Sequence, residues 1–173
     1  MFPLSYAQRR LWILDRLDGP NSLYNLPTAF RLSGAVDVAA LRAALGDVVG
    51  RHEALRTVFP EADGEPFQRI LSPREARLEL DVRTVTEQEL AMAMEAAGRH
   101  PFDLAADLPL RATLLVLGPA EHVLVLTFHH IAFDGWSMDP LARDLSVAYG
   151  ARCAGRVPSW AELPVQYADY TLW

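Results

Sequence analysis

The sequence predicts an α/β sandwich, a mixed and largely antiparallel sheet with helices packed on it. Three observations predict it. Helical segments interleave with hairpin-like strand pairs along the 173 residues. Two segments, at Ser5/Gln8 and Thr86/Glu89, open with a hydroxyl residue followed three positions later by Gln or Glu, a pattern that starts helices. Finally, Val123-Leu124-Val125-Leu126 has no polar alternation, as expected of a strand covered on both faces.

In chain order, Ser5 caps a helix running to about Leu17, with Gly19-Pro20 as its stop. Its apolar face carries Leu11, Trp12, Ile13 and Leu14, and Gln8 and Arg9 are among its polar members. Thr28 to Leu32 reads as a strand with Pro27 at its start, where a missing N–H is tolerable. Asp37 is a good N-cap for a helix through about Gly50, with Val38, Leu41, Leu45, Val48 and Val49 on one face. Leu55 to Phe59 reads as a strand, Ala62-Asp63-Gly64-Glu65 as a turn, and Phe67 to Leu71 as the hairpin partner. A strand over Leu78 to Val82 and a helix from Thr86 to about Ala97, ended by Gly98, follow. Leu110 to Leu117 and His122 to Phe128 pair across a Gly118-Pro119-Ala120 turn. Ser137 is a plausible N-cap for a helix to about Arg152, with Pro140 in its first turn, where the lost N–H costs little. Another helix begins within Val165 to Trp173.

Composition narrows the function. Half-hydrophobic content with 22% charged residues fits a globular protein, and 173 residues suffice for one sizeable core. A net charge of −6 argues against general nucleic-acid binding. A single cysteine, Cys153, excludes an internal disulfide and suits a cytoplasmic setting. Met1-Phe2-Pro3-Leu4 lacks a basic signal-peptide start, and no apolar run is long enough for a membrane span.

Titratable groups converge on Thr127-Phe128-His129-His130-Ile131-Ala132-Phe133-Asp134-Gly135-Trp136-Ser137. Successive strand side chains point to opposite faces, so His129 and His130 cannot share one cavity. One faces a reaction space and the other packs into the fold. Two histidines and an Asp can also close a buried strand by satisfying each other. A metal site would need a third ligand, and none clusters nearby.

His129, His130, Asp134 and Gly135 form a His-His-x-x-x-Asp-Gly pattern that resembles the signature of nonribosomal peptide synthetase condensation domains, shared with chloramphenicol acetyltransferase-like acyltransferases. Ser5 to Leu14, Arg51 to Phe59 and Tyr167 to Trp173 resemble three further condensation-domain motifs, in the family's order. The resemblance implies the chloramphenicol acetyltransferase-like two-layer sandwich, with residues 1–173 as the N-terminal lobe and the C-terminal lobe absent. It implies amide bond formation between carrier-tethered acyl or peptidyl and aminoacyl thioesters. His130 would stand at the reaction centre, as a general base or as a hydrogen-bonding positioner of the amine. His129 is then structural, Asp134 holds the loop by pairing with Arg56, Gly135 and Trp136 border the substrate channel, and the first helix packs near that channel with Gln8 and Arg9 able to line it.

The resemblance implies no directly bound cofactor or metal. Phosphopantetheine arms arrive on donor and acceptor peptidyl carrier proteins, and the other partners are the C-terminal lobe and a neighbouring adenylation domain. The lobe alone is expected to be inactive. Alternatives are an epimerisation domain, a coenzyme A-dependent acyltransferase of the same superfamily, or a non-catalytic lobe that docks carrier proteins. His129 argues against heterocyclisation, which would place an Asp at the first motif position.

Overall fold

In a computed structural model, the described residues are 2–19 and 21–173, so Met1 and Pro20 lie outside them. A four-stranded sheet forms the body, in the order β2 (Asn25–Ser33), β8 (Glu121–His129), β7 (Leu110–Gly118), β6 (Leu80–Thr84). β2, β8 and β7 are antiparallel neighbours, and β6 joins β7 in parallel. Helices α2 (Val38–Arg51) and α4 (Met138–Cys153) cover one face, where Leu41, Ala44, Leu45, Val48, Leu141 and Ala148 meet Leu114, Leu124, Leu126 and Phe128. Helix α3 (Glu87–Arg99) covers the other, packing Leu90, Ala93 and Met94 on Leu115, Val123 and Val125. The unbroken apolar run of β8 has this cause: both of its faces are buried.

The site end is built by a smaller sheet. β5 (Glu65–Ile70) pairs with β1 (Phe2–Pro3), β3 (Thr57–Val58) and β4 (Glu61–Ala62). Asp63 and Gly64, at φ 53° and 81°, form the tight β4–β5 turn, for which the left-handed region is required. Helix α1 (Tyr6–Asp18) lies over this sheet, and its Leu11 and Trp12 pack on Phe59, Phe102, Leu104 and Ile131. This second small core places α1 beside the histidine loop. Helix α5 (Tyr167–Leu172) then returns beside β1.

The helix starts are as expected at three places. Ser5 and Gln8 satisfy each other's backbone N–H groups, Glu89 Oε2 accepts from both the backbone N–H and the hydroxyl of Thr86 at 2.8 Å, and Asp37 accepts from Ala40 N at 2.9 Å. Three expectations need correction. Leu55 to Phe59 is not one strand: a 3₁₀ turn, Glu53–Arg56, precedes a two-residue strand, because Leu55 N bonds back to His52 O and Thr57 Oγ1 to Glu53 O. Gly98 does not end α3 but sits inside it, where a Cβ would come within 3.1 Å of the Pro27 ring. Ser137 makes no side-chain cap for α4; Asp134 does the capping one turn earlier. On α1, the helix ends at Asp18 with Gly19 at φ 71°, and the Pro20 half of the expected stop lies outside the described residues.

Candidate active site

Strand β8 ends on His129, and His130 follows it in the turn, so the end of the strand separates the two. His129 is the last strand residue and is 2% exposed. Its ring packs edge-on to Phe102, centroids 5.9 Å apart, and its Nδ1 accepts from Ile131 N at 3.2 Å. Burial, with a smaller push from the neighbouring His130, lowers its pKa to about 4. His129 is therefore a neutral packing residue at neutral pH, with its proton on Nε2.

His130 lies outside the strand and is exposed. Its backbone N–H is tied to Tyr24 O at 2.9 Å, and its Nδ1 lies 2.8 Å from Phe133 O. A carbonyl oxygen can only accept, so Nδ1 carries the proton and, in the neutral ring, Nε2 keeps its lone pair. The Phe133 carbonyl is itself held in place. The Phe133 ring is buried and stacks on Phe128 with centroids 3.8 Å apart and planes 10° apart. The chain thus folds back over its own strand and fixes the imidazole on one edge, while the other edge has no hydrogen-bond partner among the described residues.

His130 lines a cleft of about 260 Å³ whose other walls are Ala7, Gln8 and Leu11 of α1 and Tyr167 of α5. Gln8, expected as a channel-lining residue, is buried and bonds to Gln68 Oε1 at 3.2 Å. Gln68 in turn donates to Pro3 O and Thr171 Oγ1, tying α1, β1, β5 and α5 together. Arg9 points away and pairs with Glu65 at the surface. Tyr167 and Ser5 share a 2.9 Å hydroxyl bond that latches α5 to the start of α1.

Asp134 and Arg56 are not paired, contrary to expectation. Asp134 Oδ1 accepts from Ser137 N at 3.0 Å and from Ser137 Oγ at 2.7 Å, while Ser137 Oγ accepts from Asp134 N at 3.3 Å. This reciprocal cap closes the 3₁₀ turn Gly135–Ser137 that leads into α4. A short carboxylate beside free N–H groups of its own chain is satisfied locally. Arg56 is used up elsewhere: it donates to Gly50 O and Leu71 O and pairs with Glu53 at 3.3 Å. It staples the end of α2 to the end of β5.

Gly135 faces open space, since a Cβ there would meet nothing within 4 Å. Trp136 is 91% exposed and borders a neighbouring cleft. Sequence reasoning missed Asp144, which is 4% exposed on α4. It accepts from Arg51 Nε at 2.8 Å, lies 2.9 Å from His52 Nε2, and takes a third bond from Arg143 at 3.2 Å. Burial works to raise its pKa, and these hydrogen bonds outweigh that and hold it below the ordinary carboxylate range. The signal was present: Asp144 falls on the Leu141–Leu145–Ala148 stripe, where a lone charge requires a buried partner. Among the described residues no His, Cys, Asp and Glu cluster could hold a metal, and no helix is long and apolar enough to cross a membrane.

The mixed sheet with helices on both faces has the chloramphenicol acetyltransferase-like fold. The chain belongs to the condensation domain family, whose model matches residues 1–173. It is 60% identical over its full length to a probable nonribosomal peptide synthetase, CymA, of Salinispora arenicola, and 56% identical to an isonitrile lipopeptide synthase of Mycobacterium tuberculosis. It spans only 2% and 7% of those two relatives. Among solved structures, it superposes on the X-domain from teicoplanin biosynthesis in complex with OxyB with a TM-score of 0.93 at 45% identity. It matches the starter condensation domain of rhizomide synthetase RzmA with a TM-score of 0.87 at 26% identity. These matches cover 99% of this chain and 37% and 42% of the two solved chains.

Proposed function

We propose that this chain is the N-terminal lobe of a nonribosomal peptide synthetase condensation domain, and that His130 serves amide bond formation between two carrier-tethered thioesters. The observation that carries the proposal is an exposed His130 lining a cleft, its Nδ1 fixed by the Phe133 carbonyl and its Nε2 without a hydrogen-bond partner among the described residues. The α-amino group of an aminoacyl thioester attacks the carbonyl carbon of an acyl or peptidyl thioester. A C–N bond forms, the C–S bond breaks, and the amine gives up a proton as the thiolate leaves. His130 Nε2 accepts or orients that proton and returns it to the departing sulfur. A thioester needs no further activation, so alignment of the two reactants is the larger contribution. Gly135 and Trp136 border the approach, Asp134 shapes the loop through its cap, and His129 and Arg56 support it from inside.

In this reading the partners are donor and acceptor peptidyl carrier proteins bearing phosphopantetheine, a C-terminal lobe that closes the open side of the cleft, and an adjoining adenylation domain, all in the cytoplasm. Without the second lobe, water reaches His130 and the alignment is lost. The test is to incubate the 173-residue chain, and the complete two-lobe domain, with loaded donor and acceptor carriers and follow the condensed product by mass spectrometry. Product from the complete domain, its loss in His130→Ala, and none from the 173 residues alone are expected. Equal turnover by the 173 residues would overturn the single-lobe reading.

A second reading has its own observation. The chain is 45% identical to the teicoplanin X-domain, which is solved in complex with OxyB, against 26% to the RzmA condensation domain. Here the lobe would dock a partner protein and perform no chemistry. Carrier or partner binding by the complete domain with no condensation from any loaded carrier pair would favour it.

A further inference from the structure

A second histidine faces a second cleft, on the other side of the histidine loop. His52 caps the C-terminal end of α2, and its Nε2 lies 2.9 Å from Asp144 Oδ2. It lines a cleft of about 290 Å³ together with Leu55, Ala132, Phe133, Trp136 and Leu141. Ala132, Phe133 and Ser137 line both this cleft and the one at His130, so the loop partitions them. Small-molecule sites have this character: mostly apolar walls with one or two placed polar groups.

The hydrogen-bond chemistry of His52 is determined. Burial lowers its pKa; the bond to Asp144 opposes this, and Arg51 and Arg143 add to the lowering. The ring is therefore neutral near pH 7. A carboxylate only accepts, so Nε2 carries the proton and Nδ1 presents a lone pair. Among the described residues Nδ1 has no hydrogen-bond partner. The surrounding charge decides what that lone pair can receive. Arg51 and Arg143 both contact Asp144, so two guanidinium groups stand against one carboxylate. That balance disfavours an ammonium and admits an uncharged N–H.

We propose that this cleft binds a neutral amide bearing a branched or aromatic hydrocarbon group, of the kind a peptidyl residue presents. The amide N–H bonds to His52 Nδ1, and the hydrocarbon lies against Phe133, Trp136 and Leu141. Asp144 orients the acceptor, because the hydrogen bond made by one ring nitrogen sets which nitrogen presents the lone pair. This inference does not rest on the proposed function, because it concerns binding at a different histidine and its test reads no turnover.

The test is an NMR titration of the histidine- and leucine-methyl-labelled chain with N-acetyl-L-leucinamide. L-leucinamide, which adds a positive charge, and pantetheine, which carries amides on a different skeleton, serve as comparison probes. Saturable shifts at the His52 ring and the Leu141 methyls are expected, with N-acetyl-L-leucinamide binding at least fivefold tighter than either comparison probe. Ala54→Phe, at a further residue that lines the cleft and takes no part in the His52–Asp144 hydrogen bond, should abolish the shifts. His52→Phe, which keeps the bulk and loses the acceptor, should weaken binding about tenfold, the loss of one hydrogen bond. Absence of saturation, shifts that survive Ala54→Phe, unchanged affinity in folded His52→Phe, or tighter binding of leucinamide or pantetheine would each overturn the proposal.

Discussion

His130 and Phe133 are joined by a 2.8 Å hydrogen bond that sets a tautomer in the neutral ring, Nδ1–H on the carbonyl and the lone pair on Nε2. Because the Phe133 ring is stacked on Phe128, the acceptor cannot drift without breaking a buried aromatic pair. The imidazole is thus oriented by backbone, and among the described residues no carboxylate bonds to it.

From this the first prediction follows. In the complete domain, His130→Ala should reduce condensation by about 10²–10⁴-fold, the usual range for a positioned proton-transfer group. Since His130 is exposed, stability should change by no more than about 0.5 kcal/mol. Product formation by mass spectrometry and chemical melts of the same samples check both halves. Full activity in a folded His130→Ala protein would remove His130 from the reaction.

His129 makes the second prediction, one of pH dependence. Its folded pKa, about 4, lies below the ordinary histidine value of 6.5, so the unfolded chain binds the proton more readily. The stabilisation is fully present above pH 6.5 and is lost as pH falls toward 4, a swing on the order of 3 kcal/mol. Urea melts at pH 7.5, 5.5 and 4.5 should show wild type losing more stability on acidification than His129→Phe, whose ring does not titrate. Parallel pH profiles for the two proteins would contradict this.

The strand period of two led to the expectation that the two histidines face different surroundings; they do, but because β8 stops at His129 and His130 falls in the turn beyond it. The helix starts were legible because capping boxes are local, as at Ser5/Gln8 and Thr86/Glu89. Long-range polar pairing was not. Asp134 looked like a partner for Arg56 through the family resemblance, yet the N–H groups three residues away satisfy it first. Asp144 and Arg51 lie 93 positions apart, and nothing local in either helix announces the other. The 3₁₀ turn at Glu53–Arg56 was hidden for a similar reason: Gln166, from the far end of the chain, accepts from Glu53 N and helps hold it.

The third prediction concerns Asp134. As the cap of the turn into α4, its replacement by Ala should cost about 1 kcal/mol, and Asp134→Asn, which retains a side-chain acceptor, should cost less. Arg56→Ala should act separately, by freeing the carbonyls of Gly50 and Leu71. The double variant Asp134→Ala/Arg56→Ala should therefore equal the sum of the singles to within about 0.5 kcal/mol. A coupling energy well above that, measured by denaturant melts, would restore the ion pair that the resemblance implied.

The fourth prediction tests Asp144 as the joint between α2, α4 and the segment before α5. Its carboxylate holds Arg51, whose guanidinium also stacks 4.8 Å over Trp160 and donates to Ala161 O at 2.6 Å. Asp144→Ala leaves Arg51 charged, largely buried and short of its anion, the situation in which a broken pair costs about 3–5 kcal/mol. Arg51→Met with Asp144→Leu removes both charges and keeps the volume, so the double variant should recover much of that loss. The gain cannot be complete, because His52 then loses its oriented partner and the Ala161 carbonyl loses its donor. Chemical melts of wild type, both singles and the double give the cycle. A single Asp144→Ala loss below about 1 kcal/mol, or a double variant no better than the worse single, would mean the three segments are held together by apolar packing alone.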